Sequence, residues 1–404
     1  MYKGNKKRLI VTFSILFAIL TLFGQVKYLF KPQENVVFAQ ENDAQVLSLP
    51  VKSYYLMDFN TEKALIAYNE TERLEVASMV KLMTTLLTME KLEKGEWTLD
   101  TRLLTSEYAA SMEGSQAFLD AGSEYTVDEL LKSVIVASAN DSCVVLAENM
   151  AGSEQNFVDN MNKKAQELGM DNTLYANCTG LPALSQYSCA KDIAHILAEV
   201  HKHEIYHKYS TIWMDKIVHA SGRETELVNT NRLIRYYPGC DSGKTGFTDE
   251  AGYCLSASAK KNGMRLVSVI IGAKTSSERF ETSTTLLNYG FSNYENKMVV
   301  SSEQNLAQKF KVKGIKDEIE AKCSDDLFVL SKRGENTQNY EVKVELDNSI
   351  KAPLKQGDVI GKIYLIEDGV VAKESNLISA ENYKKQGYKD AFHQAIDNFR
   401  LFSK

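Results

Sequence analysis

Asp241-Ser242-Gly243-Lys244-Thr245-Gly246-Phe247-Thr248 is followed by Ala251-Gly252-Tyr253-Cys254-Leu255-Ser256-Ala257-Ser258-Ala259, a turn at Asn262-Gly263, and Arg265-Leu266-Val267-Ser268-Val269-Ile270-Ile271-Gly272. Here the pattern changes from helical to extended. The two apolar runs flanking Asn-Gly read as a β-hairpin, and Lys244-Thr245-Gly246-Phe247 opens an edge strand ahead of it. A closing helix is expected over Ser277 to Phe291. Upstream, apolar residues recur at helical spacing in three blocks. Met79 to Leu92 ends before Gly95, Asp128 to Met150 is one long block, and Asn156 to Leu168 is closed by Gly169. Before them, Ser53 to Phe59 and Ala64 to Tyr68 read as a second hairpin about Asn60-Thr61. The region 51–295 thus has strands at its two ends and helices between, a mixed α and β domain.

Beyond Asn296 the chain breaks into short β-prone pieces, Leu327–Leu330, Tyr340–Val344 and Val359–Ile366, separated by turns at Gln356-Gly357-Asp358 and Glu367-Asp368-Gly369. Residues 296–380 are expected to be a small all-β domain. The last segment, 381–404, carries Tyr388, Phe392, Ala395, Ile396, Phe399 and Phe402 on one helical face from Gly387 onward, with lysines and an arginine nearby. An amphipathic helix at a membrane surface and a helix docked on the β domain both fit that pattern.

At the other end, Lys3, Lys6, Lys7 and Arg8 precede an apolar run from Leu9 to Phe23, the pattern of an export signal in residues 1–39. The basic flank stays on the cytoplasmic side, so the chain beyond Phe23 is expected outside the cytoplasm. Cleavage after Ala39 and retention as an anchor both fit this stretch, and residues 40–50 read as a polar linker. With 404 residues, two domains are expected. A net charge of -6 argues against nucleic-acid partners. The six cysteines contain no C-x-x-C pair, so most are expected to be small buried hydrophobes, with room for one or two disulfides.

The chemistry is expected from three motifs in order: Ser78-Met79-Val80-Lys81, Ser138-Ala139-Asn140 and Lys244-Thr245-Gly246. S-x-x-K alone is weak, since about two arise by chance in a chain this long. Ser138 is the only serine in an S-x-N and Lys244 the only lysine in a K-T-G. Three residues apart on a helix, Ser78 and Lys81 share a face. An uncharged amine there would take the serine proton, and burial together with nearby positive charge would keep it uncharged. The Ser78 backbone N–H is one expected oxyanion donor and that of Phe247 the other. Ser138 is expected to relay a proton, the Asn140 amide to hold a substrate carbonyl, and Gly246 to let substrate backbone approach. Lys244 would add positive charge and Thr245 a hydroxyl. Arg279 is a candidate partner for a substrate carboxylate. The bland alternatives are N-caps for Ser78 and Ser138 and a solvated surface arginine for Arg279. His201, His203 and His207 cluster, but no fourth metal ligand is announced, and neither a metal nor a cofactor is implied. G-x-S-x-G is absent, which leaves an esterase triad unsupported.

These motifs occur within longer stretches, Glu75–Thr84, Ala137–Asp141, Asn172-Thr173 with Thr179-Gly180-Leu181, Asp241–Thr248, Ala251–Leu255 and Lys351–Val359. In them the chain, from about Ser53 to about Asn382, resembles the D-alanyl-D-alanine carboxypeptidases, low-molecular-mass penicillin-binding proteins. The resemblance implies an α+β fold of the β-lactamase/transpeptidase-like kind, an antiparallel sheet with a helical cluster, followed by the small all-β domain. It also implies an acyl-enzyme on Ser78 with Lys81 as base, Ser138, Asn140 and Lys244 completing the catalytic set, and Thr245 and Arg279 gripping a terminal D-alanine carboxylate. The implied substrate is a peptidoglycan pentapeptide ending in D-Ala-D-Ala, the implied covalent inhibitors are β-lactams, and the implied location is the outer face of the bacterial membrane or the medium. Ala139 and Phe247 depart from relatives that carry Gly and His there. A β-lactamase, a transpeptidase and a wall-binding protein with a dead site are the competing readings.

Overall fold

Ser53–Asp58 (β1) is buried at all six positions, as a strand must be when it is central in a sheet and both faces are covered. The structure, a computed structural model, describes residues 47–335 and 339–388. β1 pairs with Ala64–Tyr68 (β2) and, much later in the chain, with Met264–Ala273 (β9). Gly252–Lys261 (β8) and Cys240–Thr248 (β7) extend the sheet on that side. Every pairing is antiparallel, and the order is β2-β1-β9-β8-β7, so β7 is an edge strand as expected.

Alternation along the strands makes two cores. Tyr55, Met57, Val267, Val269 and Ile271 face the helical layer. Tyr54, Leu56, Leu266 and Ile270 face Leu286 and Leu287 of the closing helix, which runs Ser276–Asn293. The helical layer is built between β2 and β7. It holds α1 (Lys81–Glu93), α2 (Glu107–Ala110), α3 (Val127–Val136), α4 (Asn140–Ala151), α5 (Glu154–Glu167), α6 (Ala190–Lys202) and α7 (Glu204–Ser210), while α8 (Leu233–Tyr236) packs in the other core with the closing helix, α9. Two small hairpins lie among them, β3 (Arg102–Leu104) with β4 (Glu124–Thr126) and β5 (Met214–Val218) with β6 (Glu224–Val228).

Two helices differ from the sequence expectation, both at the motifs. The block expected as one helix from Asp128 to Met150 is two, α3 and α4. Ser138 stands at φ 65 and Ala139 is extended, which ends one helix and starts the next. The helix expected from Met79 begins at Lys81, because Ala77–Val80 is a 3₁₀ turn. Elsewhere the caps follow local chemistry. Thr126 and Glu129 make a capping box on α3, and Thr275 caps α9 through Glu278 N.

The all-β region is built from β10 (Tyr294–Val300), β11 (Ala321–Cys323), β12 (Leu327–Lys332), β13 (Tyr340–Leu346), β14 (Val359–Glu367) and β15 (Val370–Ser379). β10 pairs with β12, and the other four form a sheet in the order β11-β15-β14-β13. β10 starts at Tyr294, so the boundary expected after residue 295 falls inside a strand. β15 escapes a hydrophobic pattern because its first half is exposed. Asn296 Nδ2 donates to Asp58 Oδ1 at 2.6 Å and Lys63 pairs with Glu367, tying this region to the β1–β2 turn.

Residues 381–387, within the segment expected to hold the terminal helix but ahead of most of its helical face, are not helical. Tyr383 pairs instead with Leu354, and its hydroxyl accepts from Glu320 N at 2.8 Å. An isolated polar stretch gains more from these backbone bonds than from a helix with no packed face. The expected export signal, all but residues 47–50 of the linker, and residues 389–404 of the expected amphipathic helix lie outside the described residues. Among the described residues no helix is long and apolar enough to cross a membrane.

Candidate active site

Ser78 sits in the 3₁₀ turn Ala77–Val80, where residues three apart eclipse each other. Its hydroxyl caps no helix. Lys81 Nζ lies 2.8 Å from Ser78 Oγ as donor and also donates to Thr179 O at 2.6 Å. Lys81 is fully buried, whereas Ser78 is only half-buried and reachable from outside. Burial pushes the Lys81 amine below the usual lysine range, with the Cys143, Cys178 and Asp141 side chains working weakly the other way. Once neutral, the amine keeps a hydrogen on Thr179 O and offers its lone pair to the Ser78 hydroxyl.

The turn itself is strained, with Ala77 at φ 47. Gly180 holds it from beneath: at φ 83, a Cβ there would meet Ala77 O at 2.0 Å and Ser78 N at 2.9 Å. Gly246 holds it from the side, since its Cβ would stand 2.6 Å from Val76 O and 3.2 Å from Ser78 N. The room that Gly246 was expected to leave for substrate backbone is therefore taken by the catalytic turn. This close approach brings β7 at Gly246 alongside Ser78 N.

The break between α3 and α4 brings the second motif in. Ser138 Oγ accepts from Lys244 Nζ at 2.7 Å, and Lys244 Nζ also donates to Thr245 O at 3.0 Å. Lys244 is held well below the usual lysine range, first by burial and then by the neighbouring Lys81 and Arg279 charges. For both amines burial is the leading cause. Asn140 Nδ2 donates one of its two hydrogens to Glu113 O at 2.5 Å, and its Oδ1 is buried without a partner. A buried acceptor left open costs about 1–3 kcal/mol, so the amide has both a second hydrogen and an open acceptor to offer. The loop supplying Glu113 is pinned by Asp141, whose carboxylate accepts from Ala117 N and Leu119 N at 3.0–3.1 Å.

On β7, Thr245 Oγ1 donates to Thr230 Oγ1 at 2.7 Å. Phe247 is 49% exposed, with its ring 4.3 Å from that of Tyr253. Arg279 is no solvated surface arginine. It donates to Gly246 O at 3.2 Å and Cys254 O at 3.4 Å, lies over the Tyr253 and Phe280 rings, and leaves Nε buried and unpartnered. Its present bonds brace β7 and β8 next to the Phe247 N–H. Ser78, Lys81, Ser138, Asn140, Lys244, Thr245, Gly246, Phe247 and Arg279 thus form one neighbourhood from four chain segments. Thr179, Gly180, Glu113 and Thr230 join it. Apart from Thr179-Gly180, which lie in a stretch the resemblance covers, none carries a sequence signal, because a carbonyl acceptor or a lone hydroxyl has no spacing rule.

The histidines serve packing. His201 is pushed down to about 3 by burial and lies edge-on to His207 and Phe59, while His203 pairs with Glu93. No group of three or more His, Cys, Asp or Glu among the described residues is placed to hold a metal ion. All six cysteines are free and buried, so the one or two disulfides allowed for are not formed.

A family model described as D-alanyl-D-alanine carboxypeptidase matches residues 39–275, and one described as penicillin-binding protein 5, C-terminal domain, matches residues 294–385. The chain is similar to D-alanyl-D-alanine carboxypeptidase DacF of Bacillus subtilis (strain 168), at 41% identity over 383 residues, 94% of this chain and 98% of the relative. It is similar to DacC of Escherichia coli (strain K12) at 32% identity, covering 89% and 90% of the two chains. Among solved structures, penicillin binding protein 5 from Haemophilus influenzae superposes with a TM-score of 0.66 at 31% identity, over 84% of this chain and 99% of that one.

Proposed function

The chain belongs to the D-alanyl-D-alanine carboxypeptidase family, and from that membership we propose that Ser78 is its nucleophile and Lys81 the base that activates it. The protein is a serine-type D-Ala-D-Ala carboxypeptidase of cell-wall metabolism. One observation carries the residue assignment: a fully buried lysine amine, held below its usual range by that burial, stands 2.8 Å from a half-exposed serine hydroxyl.

In the reaction proposed, the Ser78 oxygen attacks the carbonyl carbon of the penultimate D-alanine while its proton passes to Lys81 Nζ. The oxyanion is held by Ser78 N–H and Phe247 N–H. Collapse of the tetrahedral intermediate breaks the peptide bond, and the leaving D-alanine nitrogen takes its proton through Ser138, which Lys244 holds in place. Water then attacks the Ser78 ester, restoring the hydroxyl and releasing the shortened peptide. Thr245 and Lys244 face the terminal carboxylate. Arg279 supports this subsite from behind through Gly246 O. The substrate is a peptidoglycan stem peptide, which places the reaction outside the cytoplasm. We assign membrane contact to residues 389–404 or to the N-terminal segment, and covalent inhibition by β-lactams follows from the same serine.

Intact-mass measurement after incubation with benzylpenicillin tests the assignment. The wild type should gain one penicilloyl group and Ser78→Ala none, with its fold retained, while D-alanine release from a peptide ending in D-Ala-D-Ala is lost in the same variant. An adduct that persists in Ser78→Ala removes Ser78 as nucleophile. Fast penicillin turnover without D-alanine release would point to a β-lactamase, and crosslinked product to a transpeptidase.

A further inference from the structure

Thr245 Oγ1 does not hold its hydrogen free for substrate. It donates to Thr230 Oγ1 at 2.7 Å, and a hydroxyl has only one hydrogen to give. Thr230 is half-buried and held with unusual thoroughness for a residue outside any helix or strand. Its own N–H donates to Val136 O at 3.2 Å, the last residue of α3 before the Ser138 turn. Its neighbours are two buried asparagines. Asn229 donates from Nδ2 to Ile212 O at 2.8 Å and accepts from Asn231 N at 2.9 Å. Asn231 donates to Ser242 O at 3.3 Å and accepts from Leu233 N at 3.1 Å. Thr230 therefore links the segment entering the Ser138 turn to the strand that carries Lys244 and Thr245.

We propose that Thr230 is a positioning residue for recognition of the substrate's terminal carboxylate, acting through the Thr245 hydroxyl. The proposal rests on the reading of Thr245 as a carboxylate ligand. Before substrate binds, Thr230 accepts the Thr245 hydrogen and so fixes where Thr245 Oγ1 stands. When a carboxylate arrives, the Thr245 O–H turns toward it, and the Thr230 O–H turns to donate to Thr245 Oγ1. Only two rotors move, and no covalent bond breaks or forms. The resulting chain, Thr230 O–H to Thr245 O–H to carboxylate, strengthens the last bond because each donor polarises the next. Without the Thr230 hydroxyl, Thr245 keeps its hydrogen but loses both its fixed position and this polarisation.

The test compares Thr230→Val, which keeps the shape and removes the hydroxyl, with Thr230→Ser, which restores it. Rates of adduct formation are measured by mass with benzylpenicillin and with its methyl ester, which lacks the carboxylate charge. Thr230→Val should slow the free acid about five- to tenfold, the worth of one hydroxyl hydrogen bond, and leave the ester within about twofold. Thr230→Ser should return the free acid to the wild-type rate. For an acyl-D-Ala-D-Ala peptide the same loss should fall on KM, with kcat little changed. Equal slowing of acid and ester, or no change in either, overturns the role of Thr230. Thr245→Val is the companion: if it leaves the discrimination between acid and ester intact, the carboxylate role of Thr245 fails, a result distinct from failure of Thr230 alone.

Discussion

Burial is what suits the lysine at position 81 to the role proposed for it, since it takes the amine below the ordinary lysine range. Its surroundings are Ser78 Oγ, Thr179 O, the buried thiols of Cys143 and Cys178 and, acting less strongly than burial, the Asp141 carboxylate, with which it makes no ion pair. Desolvation therefore wins, and the amine's pKa falls. That fall sets the sign of the pH effect. In the proposed mechanism the active form is the neutral Lys81 amine, so kcat/KM should rise with pH through the depressed pKa, and acid should remove activity by protonating it. A pH–rate profile for D-alanine release should show one acid limb lying below the ordinary lysine range. A profile that stays flat until the ordinary lysine range and rises only there would mean that Lys81 is solvated and charged at neutral pH. Stability moves the same way: the unfolded chain protonates these amines more readily than the folded one, so their cost to folding is complete below the folded pKa and shrinks as pH rises toward the unfolded value.

Two turns hold Ser78 and Ser138, while α1, α4 and β7 carry Lys81, Asn140 and Lys244. The Ala77–Val80 turn and the Ser138 turn each hold a non-glycine residue in the left-handed region, Ala77 at φ 47 and Ser138 at φ 65. Strain of about 1–3 kcal/mol per residue survives only where packing over-determines it. For the first turn that packing includes Gly180. Gly180→Ala would set a methyl 2.0 Å from Ala77 O and add left-handed strain of its own, so the Ser78 turn must shift. A displacement near 1 Å at a nucleophile costs about a hundredfold in rate. Penicillin acylation should fall at least that far, with a lowered midpoint in thermal unfolding, whereas an unchanged acylation rate would show that the turn does not depend on Gly180. Here too lies the reason one long helix was expected across 128–150. The apolar spacing runs through the break, and a positive φ at Ser138 is invisible to periodicity.

The five-stranded sheet and the β-stranded region meet through Tyr294 and Leu330, which enter the core that holds Leu56 and Leu286, and through a small polar contact beside them. Asp58 is buried, which raises its pKa, and bonds from Thr61 and Asn296 offset part of that rise. Removing the Asn296 amide leaves a buried carboxylate with one donor fewer. Asn296→Ala should cost about 1.5–3 kcal/mol at neutral pH, the range for a bond to a charged group. It should cost less in mild acid, because a carboxyl whose folded pKa is raised disfavours folding as pH climbs through that value and ceases to do so once protonated. Thermal unfolding at two pH values reads the difference, and an equal loss at both would mean Asp58 is not charged at neutral pH. Acylation by penicillin should be unchanged, since Asn296 touches no residue of the site. The nearby Lys63–Glu367 pair has a partly exposed lysine and is worth at most about 1 kcal/mol.

The chain's own order of residues settled the two-part organisation, the hairpins at 53–68 and 252–273, the closing helix and the three motifs, because periodicity and short spacing are local properties written in adjacent positions. It also pointed to the chemistry, since a serine and a lysine three apart can share a proton only in a turn or helix. What folding alone decided is which groups complete the site: the carbonyls of Thr179 and Glu113, the hydroxyl of Thr230, the bonds of Arg279 to strand carbonyls rather than to water, and the unpartnered oxygen of the Asn140 amide. Among these, the Lys81–Thr179 bond joins atoms 98 positions apart. Local spacing carries no information about such meetings, because burial and strand register, not neighbouring residues, bring the partners within reach.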